Sequence, residues 1–128
     1  MLLYLKIFIV AGLLGWLLDT AYRTLDAKRY TSGTIVPFFS IIYGIVAVEL
    51  YILFSFWALP VYLHIIIGTL LTILSELVSG LLGFKILKRR VWDYRSSRFH
   101  YKGFIDIEHS FYWLILTALC RIFYSWLF

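Results

Sequence analysis

Four long apolar stretches, roughly 2–20, 35–58, 61–86 and 106–127, dominate this 128-residue chain. Its positive charge is pushed to their edges. Ten of the twelve Lys and Arg fall in two connectors. Connector 20–34 carries Arg23, Lys28 and Arg29; connector 85–103 carries Lys85, Lys88, Arg89, Arg90, Arg95, Arg98 and Lys102. Only Lys6 and Arg121 lie elsewhere. A hydrocarbon core of roughly 30 Å takes about 20 apolar residues at about 1.5 Å rise per residue. The pattern therefore predicts an all-α, polytopic integral membrane protein with four transmembrane helices, residues 1–128 forming one four-helix domain. In a four-span chain the first and third connectors emerge on one side. Positive charge is kept on the cytoplasmic side. Both connectors are thus expected in the cytoplasm, both termini outside, and the chain in the cell membrane.

Composition excludes the water-soluble alternative. Hydrophobic residues make up 62% and charged residues 15%, against about 25% charged in a typical soluble domain. A small soluble fold buries too little of its surface to hide so many apolar side chains. Eleven Phe, ten Tyr and five Trp supply rings suited to the membrane–water boundary. The net charge of +5 points to anionic lipid headgroups at the basic loops and not to nucleic acid. The single cysteine, Cys120, excludes an intrachain disulfide and is expected to be a small packing residue. Asp19-Thr20-Ala21-Tyr22 follows the first apolar stretch where a small-residue cleavage site would stand, so that stretch is expected to remain as a helix.

Small residues spaced four apart predict close helix contacts: Ala11 with Gly15, Ser40 with Gly44, and Ser79 with Gly83. Pro37 marks the start of the second helix. Leu59-Pro60 leaves room only for a tight turn, so helices two and three form an antiparallel hairpin. The long third stretch is expected to tilt or to project into the cytoplasm.

Two carboxylates, Glu49 and Glu76, lie well inside apolar stretches. Such residues cost about 2.5–3.5 kcal/mol on insertion scales and usually face the bundle interior. Counting rise per residue puts Glu49 and Arg121 at similar depth, which predicts an intramembrane ion pair between them. A second group sits nearer the cytoplasm: Asp19, Thr20, Tyr22, Ser40, Tyr43, Glu76, Ser79, Asp106, Glu108, His109 and Ser110. These side chains are expected to converge on a polar cavity open to the cytoplasm, or else on a network that only locks the bundle. His64 is expected at the outer interface. His100 and His109 lack the tight paired spacing of zinc ligands, so no metal is expected. No cofactor motif, Gly-rich phosphate loop, nucleophile elbow or cysteine pair is present.

The stretch 91–105 alternates aromatic and cationic residues, which suits a segment lying at the headgroup boundary. Its Trp92-Asp93-Tyr94 is followed by Gly103-Phe104-Ile105 and then by Ser110-Phe111-Tyr112-Trp113. Upstream stand Gly15-Trp16-Leu17-Leu18-Asp19-Thr20-Ala21-Tyr22, Ile41-Ile42-Tyr43-Gly44, and Glu76 with Ser79. In order and spacing these elements resemble the CmpB-like family of small membrane proteins, named as ABC-transporter type IV permeases. Asp19 stands where that family has Glu, Arg95 where it has Ser, and His100 where it has Asn. The resemblance covers about residues 12–115 and implies a membrane permease. Asp19, Tyr22, Tyr43, Glu76, Ser79, Trp92, Asp93 and Tyr94 are expected to form the ligand-binding set. Any ATP-driven coupling would need a separate subunit. A bundle this small has little room for a wide aqueous route, so a homodimer or a partner subunit is expected.

The leading expectation is a transporter-like or permease-like protein, not an enzyme. Two alternatives stay open. One is a membrane enzyme acting on lipid or prenyl-phosphate headgroups, with Asp19, Glu76, Glu108, His100 and His109 as acid–base groups. The other is a non-catalytic accessory subunit.

Overall fold

Helix α1 does not stop near residue 20 but runs from Leu2 to Ala27, where Lys28 takes the left-handed conformation that ends it. This is seen in a computed structural model that describes residues 1–127. Helix α2 spans Ile41–Phe56, α3 Val61–Leu87 and α4 Ile107–Ile122, followed by a short α5, Tyr124–Leu127. Strands β1 (His100–Tyr101) and β2 (Ile105–Asp106) form an antiparallel hairpin before α4. The predicted all-α class holds.

The predicted span boundaries need correction at three places. Residues 20–27, read as connector, are helical, so Tyr22 and Arg23 project from α1. The second helix starts at Ile41 and not at 35. Pro37 disfavours helical geometry at Val36, and Phe38 adopts a positive φ of 62°, so this segment makes a turn. The fourth helix breaks at Phe123. Helices α1 and α3, at 26 and 27 residues, are long and apolar enough to cross a membrane. Helix α2 is apolar but shorter. At 16 residues each, α2 and α4 are about 24 Å long.

Consecutive helices pack side by side and run antiparallel. Along α1 and α2, Tyr4 meets Tyr51, Phe8 meets Gly44 and Gly15 meets Tyr43. Along α3 and α4, Gly68 faces Thr117 and Glu76 faces Trp113. The buried apolar core is Val46, Leu50, Leu53 and Phe54 of α2 with Trp113 of α4. Outward-facing Leu13, Leu17, Ile66, Leu70 and Leu74 are exposed, as a lipid-facing surface requires.

The expected small-residue contacts are real at Gly15 and Gly44, where an added Cβ would overlap Tyr43 and Phe8. On α3 the close approach falls at Gly80, against Phe104, and not at Gly83, where a Cβ would find ordinary room beside Val91 at 3.7 Å. The reason is register: one residue along a helix turns the side chain by about 100°.

Segment 88–106 is not a flat surface strip. Tyr94 and Phe104 turn inward and are 6% and 3% exposed, while Phe99 and Tyr101 stay outside. Lys102 and Gly103 both have positive φ at the hairpin turn, the geometry that primed turns demand. A side chain at Gly103 would also strike Arg95. Trp92 Nε1 donates to the Phe104 carbonyl at 2.9 Å, and Arg90 donates to the Lys102 carbonyl at 2.7 Å. These bonds fasten the hairpin between the C-terminal end of α3 and the N-terminal end of α4.

Candidate functional site

Glu76 lies just past the middle of α3, 5% exposed. Its Oε2 accepts from Trp113 Nε1 at 2.9 Å, and its Oε1 accepts from the Tyr94 hydroxyl at 2.9 Å. The donor directions are fixed by chemistry. An indole N–H only donates. Tyr94 Oη accepts from Arg23 Nη2 at 3.2 Å and donates to Glu76. Both Glu76 oxygens are therefore acceptors, a pattern a carboxylate satisfies without a proton of its own. Arg23 in turn donates from Nε to Asp19 Oδ2 at 2.8 Å, one helical turn away. The result is a continuous chain Asp19–Arg23–Tyr94–Glu76–Trp113 joining α1, the loop, α3 and α4.

Tyr94 is further clamped by ring stacking on His109, with centroids 3.9 Å apart. His109 Nδ1 lies 2.7 Å from Asp106 Oδ1, which also caps α4 by accepting from the His109 backbone N–H. An aspartate at this position satisfies an otherwise orphaned donor of the first turn. Burial, with the neighbouring Glu76 carboxylate, raises the Tyr94 phenol above its ordinary pKa and keeps it a donor. Tyr22 and Tyr112 both donate to Glu108 Oε1, at 3.0 and 3.1 Å, which ties the C-terminal end of α1 to α4.

These groups enclose a cavity of about 370 Å³. Seven aromatic or imidazole rings line it: Tyr22, Tyr43, Trp92, Tyr94, His109, Tyr112 and Trp113. Asp19, Arg23, Ser40 and Glu76 provide side-chain polar atoms, and Leu18, Gly33, Ile42, Ile115, Leu116 and Leu119 complete its wall. A second cavity of about 320 Å³ shares Tyr22, Arg23, Tyr94 and His109 with the first. It is bordered by Asp26, Asp93, Asp106 and Glu108. Six of the seven acidic residues thus line the two cavities, and among the described residues Arg23 is the only Lys or Arg that does.

Of the eight sequence-predicted ligand residues, Asp19, Tyr22, Tyr43, Glu76, Trp92 and Tyr94 surround the first cavity. Asp93 borders only the second. Its carboxylate accepts from the Arg95 backbone N–H and pairs with the Arg95 guanidinium at 2.6 Å. Those hydrogen bonds hold its pKa down at about 2. Ser79 lines neither cavity, although its spacing of three residues from Glu76 puts it on a neighbouring part of the same helix face. The sequence reading missed Arg23, Tyr112 and Trp113. Arg23 falls in the stretch that reads as a connector, although its i, i+4 spacing from Asp19 is the signal for a helical ion pair.

The predicted Glu49–Arg121 ion pair is not formed. Glu49 accepts from Ser75 Oγ at 2.9 and 2.7 Å. Arg121 donates from Nε to His64 Nδ1 at 2.8 Å, and His64 Nε2 meets the Trp57 carbonyl at 2.9 Å. Depth arithmetic matched their heights but carried no information about which helix faces meet. His64 is 2% exposed, so it is an interior link and not an outer interface residue. A double-mutant cycle on thermal stability should show coupling of about 0.5–1.5 kcal/mol between Glu49 and Ser75 and none between Glu49 and Arg121.

Among the described residues no group of three or more His, Cys, Asp and Glu side chains is placed to hold a metal ion. No curated protein and no solved structure matches the chain. A family model does match, over residues 6–127, and its description is "Putative ABC-transporter type IV". With apolar helices of membrane-crossing length and that match over nearly the whole chain, this protein is a membrane protein and belongs to the ABC-transporter type IV (CmpB) family.

Proposed function

We propose that the protein is a small transporter-like membrane protein that crosses the cell membrane four times and offers a solute site to the cytoplasm. The observation that carries this reading is Glu76, buried at the wall of a 370 Å³ cavity yet held by donors from a loop and a neighbouring helix. An ionisable group inside a membrane domain is costly and marks a functional path by default. The antiparallel packing supports four crossings, with α2 and α4 running beside the longer α1 and α3. Flanking apolar residues or a thinned bilayer would make up their shorter length. Lys28, Arg29, Lys88, Arg89 and Arg98 cluster in the connectors at the end where the cavities lie, which supports a cytoplasmic position for that end. These bases would hold anionic headgroups. A homodimer or a separate energy-coupling subunit completes the proposal.

The enzyme reading is weaker. His100, one of its acid–base groups, lines neither cavity and instead accepts the Gly103 N–H at 3.0 Å. Counterflow in proteoliposomes is the direct test. Purified protein should exchange a preloaded solute for its labelled form faster than protein-free vesicles. A panel of small organic solutes giving no exchange above the vesicle blank would overturn the transport reading.

A further inference from the structure

The first cavity has more recognition chemistry than its internal hydrogen bonds consume. Ser40 is 3% exposed and lines the cavity, and its hydroxyl has no hydrogen-bond partner among the described residues. The Tyr43 hydroxyl also lacks one, although its ring is packed on Trp113 at 5.0 Å. Asp19 uses one carboxylate oxygen on Arg23 and leaves the other open. Glu76 uses one lone pair on each oxygen, and a carboxylate offers about four. The unused groups named above are therefore acceptors and rotatable hydroxyls, while Arg23 directs its Nε at Asp19 and its Nη2 at Tyr94.

Charge gives the same answer. Arg23 and Asp19 offset each other at 2.8 Å, which leaves Glu76 without a counter-ion. Aromatic rings attract cations to their faces, and Tyr22, Tyr43, Trp92, Tyr94, Tyr112 and Trp113 line this cavity. The wall already accommodates one: the Arg23 guanidinium lies 5.8 Å from the Tyr94 ring centroid. An anionic solute would meet carboxylates, and Arg23, the base that lines the cavity among the described residues, is already paired with Asp19.

Building on the reading of this cavity as a solute site, we infer that its ligand is an organic cation, an ammonium group on an apolar body, seated between the Tyr43, Trp92 and Trp113 rings with its charge toward Glu76. The volume of about 370 Å³ falls in the range of small-molecule sites, roughly 300–1,000 Å³. The ammonium could be that of a free amine or of a lipid headgroup, and the test separates the two.

Binding is measured by calorimetry on the purified protein in phosphatidylglycerol nanodiscs, with protein-free nanodiscs as blank. Three probes of one size class are compared: benzyltrimethylammonium, benzyl alcohol and benzoate. Benzyltrimethylammonium should bind at least about tenfold tighter than either other probe, a difference of about 1.4 kcal/mol. Glu76→Gln should erase that preference. Equal binding of the three, or preference for benzoate, overturns the inference without any substitution being needed. Displacement of the cation by added phosphatidylethanolamine would support the site and assign its ligand to a lipid headgroup. No displacement with retained cation preference supports a soluble amine. Cation binding without counterflow would leave this inference standing and overturn transport; counterflow of an anion through the protein would do the reverse.

Discussion

Replacing Glu76 by alanine is expected to abolish solute exchange and to lower stability by about 3 kcal/mol, within the range for two buried donors stripped of their acceptor. Trp113 Nε1 and the Tyr94 hydroxyl would both lose their partner in a site already withdrawn from water. Loss of the Tyr94 bond would also release the loop, since Tyr94 is the member of the 88–106 segment that reaches Glu76. Glutamine keeps the volume but presents an amide N–H₂ to one of two donors, so Glu76→Gln should be intermediate in stability. Thermal unfolding in detergent and counterflow in proteoliposomes measure the two effects separately. Wild-type exchange and melting temperature in Glu76→Ala would remove this residue from the site and from the core alike.

Gly15→Leu is expected to cost about 3 kcal/mol, the upper end of ordinary overpacking. A side chain there collides with Tyr43 near its Cβ and not at a flexible tip, so helix α2 must move away from α1. The displacement carries Tyr43 off Trp113 and opens the wall of the cavity. Binding should therefore fall along with stability. Gly83→Ala is the matched control. Its new methyl would meet Val91 at an ordinary 3.7 Å, and both readouts should stay near wild type. Equal tolerance at the two positions would mean that α1 does not rest on α2 as described.

The Trp92-Asp93-Tyr94 motif has a physical explanation in three separate tasks. Trp92 anchors the hairpin through the Phe104 carbonyl, Asp93 folds back on Arg95, and Tyr94 alone enters the interior to hold Glu76. The motif was visible in the sequence, and the resemblance to the family singled it out. That adjacent residues would divide between interior and surface was not. Asp93 and Tyr94 are neighbours in the chain, yet one carboxylate is exposed and the other ring is buried.

The amino-acid order by itself determined the class of solvent this chain lives in. Apolar runs long enough for a bilayer, with bases expelled to two connectors, follow from the transfer cost of each side chain, which adds up locally and needs no tertiary contact. The same local sums brought Asp19, Tyr22, Tyr43 and Glu76 to one end of the bundle, because depth is counted along a helix axis. What only the tertiary structure decided is azimuth. Glu49 turned to Ser75, Arg121 to His64, and Arg23 inward to Tyr94, since the face each presents depends on helix register, on where α1 ended and on which glycine let its neighbour approach. Those choices are settled by packing between helices, a cost that no single stretch of sequence carries alone.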